Sequence, residues 1–201
     1  YEAENVRYTV AVRDGVLTIQ QIDEKEWYDY IGITVETPSI TVYLPEGAYG
    51  DLMVKDHTGD VEISQDLGFE SLTISVTTGH VAVSNGAYLG DVNIRVSTGK
   101  TMLENLRCKN LISTGDTGDV SAENVISEEE ISICRSTGDV KFDDCDATEI
   151  WVKTDTGDVT GKLLSEKIFI TQTSTGDVHV PKSTNGGKCE ITTSTGDIYI
   201  K

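Results

Sequence analysis

Thr137-Gly138-Asp139-Val140 closes one alternating apolar run, Ile131-Ser132-Ile133, and opens another, Val140-Lys141-Phe142. The Thr-Gly pair returns at Thr58-Gly59, Thr78-Gly79, Thr98-Gly99, Thr117-Gly118, Thr156-Gly157, Thr175-Gly176 and Thr195-Gly196. Successive glycines lie 20, 20, 19, 20, 19, 19 and 20 residues apart. A phase held to within one residue over seven intervals is a structural repeat.

Aligned on their glycines, the units show one pattern. Before the glycine stand Leu72, Ile74 and Val76; Val92, Ile94 and Val96; Ile131 and Ile133; Ile150 and Val152; Cys189 and Ile191. After it stand Val61 and Ile63, Val81 and Val83, Val140 and Phe142, Val178 and Val180, Ile198 and Ile200. A period of two on both sides of a turn predicts strands with one buried face. Glu62, Asn93, Arg95, Ser132 and Lys153 then face water. Leu106, Val125, Cys145 and Leu164, seven residues after the glycine, form a third apolar column. One such unit cannot bury its apolar face alone, but stacked units share a core.

The expected fold is therefore all-β, a β-solenoid of about eight coils of 19–20 residues. Neighbouring coils stack roughly 4.8 Å apart, and the crossover rule for parallel strands predicts right-handed winding. A propeller needs about twice this period. Helical periodicity is absent apart from a short stretch at residues 127–130.

Residues 1–201 read as one solenoid domain, with an N-terminal hairpin and cap over 1–35 and coils over 36–201. Two alternating runs flank Arg13-Asp14-Gly15, a hairpin signature. Trp27, Tyr28 and Tyr30 either plug the open end of the core or form a sugar- or partner-binding surface. Residues 31–35 and 40–44 follow as strands, and 36–49 form an imperfect first coil. At the other end, the last coil around Ile198–Ile200 is expected to offer an unpaired edge, a template for edge-to-edge homo-oligomers.

The net charge is −18. Such a field repels nucleic acid and anionic lipid and draws cations or a basic partner, besides keeping a repetitive β-protein in solution. No run of about 18 apolar residues is present, so no transmembrane helix is expected. The start at Tyr1 suits a chain whose targeting segment has been left out.

Asp60, Asp119, Asp139, Asp158, Asp177 and Asp197 follow the glycine, with His80 and Lys100 interrupting the column. Each carboxylate is expected to bond its own turn. The alternative is a cation column over Asp119, Asp139, Asp158, Asp177 and Asp197, since oxygens at this spacing could hold Ca²⁺ loosely. The turn threonines are expected to form a hydroxyl ladder. The four cysteines show no zinc spacing and no matched phase for disulfides, so they read as free thiols. His57, His80 and His179 lie at three phases and do not converge. No catalytic or cofactor-binding residue stands out; a glycan-active β-helix enzyme is the weaker alternative.

On the leader Ile40-Thr41-Val42-Tyr43-Leu44-Pro45, residues 52–54 and the repeated Thr-Gly-Asp-Val turns, the chain resembles the bacterial toastrack β-solenoid family, an adhesin-type domain of unknown function. The likeness spans essentially the whole chain, with departures at Gly79-His80, at Gly99-Lys100-Thr101 and over residues 113–116. The resemblance implies an extracytoplasmic, cell-surface or membrane-anchored domain of a cell-envelope protein. It implies a non-enzymatic scaffold or binding role toward a protein or cell-wall polymer. Any membrane link would run through a tether absent from this chain. The family defines no catalytic residue.

Overall fold

A computed structural model describes residues 6–23, 39–45, 47–64, 68–88 and 90–201. The chain divides into two compact units, Tyr1–Pro45 and Glu46–Lys201. In the first, β1 (Val6–Arg13) and β2 (Val16–Asp23) form the expected antiparallel hairpin. Asp14 and Gly15 turn it with φ of 51° and 78°, the paired positive values of a tight hairpin. The aromatic cluster and residues 31–35 lie outside the described residues. Residues 40–44, expected as a strand, belong to none. Alternation alone does not make a ladder, and Pro45 cannot donate to one.

The second unit is a parallel β-solenoid that begins at Ala48. Its strands are β3 (Ala48–Thr58), β4 (Val61–Ile63), β5 (Gly68–Thr78), β6 (Val81–Tyr88), β7 (Asp91–Thr98), β8 (Thr101–Thr117), β9 (Val120–Thr137) and β10 (Val140–Cys145). They continue with β11 (Glu149–Thr156), β12 (Val159–Leu163), β13 (Lys167–Gln172), β14 (Val178–His179), β15 (Gly187–Thr195) and β16 (Ile198–Ile200). The solenoid has about seven turns rather than about eight, because residues 40–44 do not add an opening one. Residues 127–130 lie inside β9 and are strand, not helix.

The two inward columns are where the alternation places them. Leu72, Val92, Leu111, Ile131, Ile150 and Cys189 are fully buried, as are Val81, Val120, Val140, Val159 and Ile198. Val61, Ile63 and Val180 are half-buried, and two apolar residues of the pattern are exposed. Leu164 is 53% exposed because the ladder slips between Phe142 and Cys145, where Leu163 takes the place opposite Cys145. Val178 is 41% exposed for a larger reason.

That reason is the order of the coils. β11 pairs with β9 on one edge and with β15 on the other, and β15 then pairs with β13. Likewise β16 lies between β12 and β14. The coil of residues 187–200 is thus inserted between two coils that precede it. The edge expected at Ile198–Ile200 is paired on both sides; the outermost coil is that of β13 and β14. Val178 is exposed because nothing in this unit stacks beyond it.

Candidate functional site

The Thr-Gly turns form one column. The glycines of the interior turns have φ between 130° and 150°, and the stacking imposes a second demand. A Cβ on Gly138 would lie 2.2 Å from the carbonyl oxygen of Gly118, and one on Gly157 would lie 2.1 Å from that of Gly138. The column needs glycine for close approach as well as for its backbone angle.

The next residue carries the charge. Asp139 N–H donates to Asp119 Oδ1 at 3.2 Å, Asp158 N–H to Asp139 Oδ1 at 2.9 Å, and Asp197 N–H to Asp158 Oδ1 at 2.8 Å. Asp177 N–H then donates to Asp197 Oδ1 at 2.8 Å. Each carboxylate therefore bonds the neighbouring coil's turn, not its own, and Asp197 precedes Asp177 in space. The interruptions take part: Asp60 Oδ1 accepts from His80 N–H at 2.7 Å, and His80 Nδ1 accepts from Lys100 N–H at 3.0 Å. Lys100 Nζ lies 3.0 Å from Asp119 Oδ2. That ammonium, with the Asp139 N–H, holds the Asp119 carboxyl below its usual range. Stacked carboxylates repel by about 1 kcal/mol per pair in water, while a hydrogen bond to a charged acceptor contributes roughly 1.5–3 kcal/mol. The ladder outweighs the repulsion.

The turn threonines are exposed and stacked in register. The core hydroxyl bonds are made two residues earlier, where Thr154 and Thr193 donate to the carbonyls of Gly138 and Gly157 at 3.2 and 3.1 Å. Six residues after the glycine runs a column that the apolar pattern does not reveal. Asn85, Asn105, Asn124 and Asp144 have φ of 50–56°, and Asn124 Nδ2 donates to Asn105 Oδ1 at 2.7 Å. Its signal was the recurrence of Asn at one phase, the residue type that best tolerates left-handed backbone after glycine.

Among the described residues, two cations lie inside. Arg135, 2% exposed, replaces an aliphatic residue of the column of Val76 and Val96, and Gly115 beside it leaves the room. Its Nη2 donates to Ser113 Oγ and Thr101 Oγ1, and its Nε has no partner. Burial pulls its pKa down to about 10, against the charges of Cys134 and Asp116. Lys167, 3% exposed, donates to Asp146 Oδ1, Ala147 O and Ser165 Oγ at 2.6, 2.6 and 2.7 Å. This tripod lines a shallow depression of about 340 Å³ with Ser127, Glu128 and Thr148. Burial acts to raise the Asp146 pKa, but the hydrogen bonds from Lys167 and Ser165 overcome it and the net shift is downward.

All four cysteines are free. Burial raises Cys108 and Cys145 to about 11 and Cys189 to about 12, so these three are inert thiols rather than nucleophiles. His80 belongs to the turn column, while His179 stacks on Tyr199 with centroids 5.9 Å apart. Among the described residues, no three His, Cys, Asp or Glu side chains are grouped to hold a metal ion.

Stacked Gly-Asp turns over a parallel aliphatic core define a β-solenoid repeat domain. The family model described as Toastrack DUF4097 matches residues 2–201, and the chain belongs to that family. Neither curated proteins nor solved structures gave a match.

Proposed function

We propose that the chain is a non-enzymatic, adhesin-like scaffold or binding domain of a bacterial cell-envelope protein, working outside the cytoplasm. The observation that carries this reading is the turn column. Asp139, Asp158 and Asp197 are exposed, adjacent in the stack, and each fixed by an N–H of the next coil. A rigid row of anions at one per coil suits a repeating cationic ligand, on a protein or a wall polymer, better than a single small molecule.

The test uses the whole chain and a lysine-rich repeat peptide as probe. Asn in place of Asp139, Asp158 and Asp197 keeps the accepting oxygen but removes the charge. This triple variant should keep its β circular dichroism and bind at least about tenfold more weakly at low salt. A second triple variant, with Gln at Glu62, Glu104 and Glu123, lowers the net charge equally on another face. Equal loss in both variants would reduce the effect to bulk charge and sink the reading.

A further inference from the structure

The coil of residues 187–200 sits in a slot whose walls are consecutive in sequence. On one wall Gly157 N–H donates to Thr195 O at 2.9 Å and Val159 N–H to Asp197 O at 2.8 Å. On the other, Gly196 N–H donates to Thr175 O and Ile198 N–H to Asp177 O, both at 2.9 Å. Cys189, Ile191, Thr193, Ile198 and Ile200 fill the slot, none more than 4% exposed. The outer wall is the weak one: β13 and β14 are paired on one edge only, and Val178, whose partner Ile198 is fully buried, is 41% exposed.

Two side chains join the walls: Ser165 Oγ donates to Asp146 Oδ1 at 2.8 Å beside the slot, and Lys167 crosses the slot itself. Lys167 belongs to the outer wall and pairs with Gly187 of the inserted coil. Its ammonium passes that glycine to reach Asp146 and Ala147, which belong to the inner wall, at 2.6 Å each. A Cβ at residue 187 would lie 1.9 Å from Thr148 O, so the inserted coil must present glycine where the bridge crosses. The joint between outer wall and insert is Pro181-Lys182-Ser183-Thr184-Asn185-Gly186, a polar link with most of its residues exposed.

We propose that this slot is an exchange site for residues 187–200 of a second copy of the chain, with the Lys167–Asp146 bridge as its latch. The slot already reads this sequence in register along both walls, and a second copy supplies the identical segment.

The experiment mixes the intact full-length chain with a fluorescent peptide of residues 187–200 and follows anisotropy and co-elution over days. Two latch variants, Lys167→Met and Asp146→Asn, are run beside it, so that misfolding of one leaves the other. Slow uptake by the intact chain, about tenfold faster in a folded latch variant, and none of a peptide carrying Ile191→Asp, is the expected result. Covalently tagged full chains, mixed at high concentration, should then form mixed dimers. Absence of uptake by the intact chain and by folded latch variants would overturn the proposal. So would equal uptake of the Ile191→Asp peptide, which would mean adhesion without register, or equal rates with and without the latch.

Discussion

Val178 and Ile198 occupy the same place in successive repeats and pair directly, yet Val178 is 41% exposed and Ile198 is fully buried. Their coils carry the same Thr-Gly-Asp turn and the same alternation after it. The difference lies in the number of neighbours. Residues 187–200 have a coil on each side, and residues 167–179 have one. In a stacked repeat, burial is set by position in the stack, because each coil is covered by its neighbours and by nothing else.

The comparison is broken most severely at the turn glycines. Gly196→Ala would drive a Cβ to 2.1 Å from Gly157 O, and Gly176→Ala would do the same against Gly196 O. The inserted coil has no room to retreat, so Gly196→Ala is expected to cost about 4 kcal/mol or more, a large effect for one methyl. The outermost coil is free to lift away, and Gly176→Ala should cost less than half as much in denaturant titration. Equal costs would contradict the stacking order. Next come the paired core positions. Ile198→Ala should cost ~2–4 kcal/mol, against under ~1 kcal/mol for Val178→Ala, measured as midpoint shifts at constant m-value.

Smaller effects sharpen the picture of how the two coils are joined. Lys167→Met removes a tripod that ties the outer coil to Asp146 and should cost about 1–2 kcal/mol. It should also raise hydrogen exchange in residues 167–179 before residues 131–160. The smallest effect is acid dependence. Asp146 and Asp119 both have folded pKa values below the ordinary 3.8. Their contribution is complete above the unfolded value and is lost as pH falls through the folded one, so it fades below about pH 3.8. Lys167→Met should remove the Asp146 share of that acid loss and leave the Asp119 share, which depends on Lys100, in place.

Much of this was legible in the residues. Period two on both sides of a glycine fixed which side chains face inward, from Leu72 to Ile191, since strand geometry leaves no other choice. The phase of 19–20 residues meant stacked coils. The antiparallel hairpin followed from Arg13-Asp14-Gly15 between alternating runs. The asparagine column was also present at a constant phase, but it is polar, and an apolar-pattern reading passes over it. The partner of each Asp carboxylate was not legible, because a side chain that can bond its own turn can equally reach the next coil's N–H.

Local alternation and turn chemistry, which depend only on near neighbours in the chain, were therefore determined by the sequence itself. The order of the last two coils was decided in three dimensions. The turns share one phase, so the Thr-Gly-Asp segments at residues 175–177 and 195–197 are interchangeable by pattern, although ahead of them Thr171 stands opposite Ile191. What separates them is long-range: Lys167 crossing Gly187 to Asp146, and the fully buried Ile191 and Ile198, which pack better with a coil on each side than on the outside of the stack.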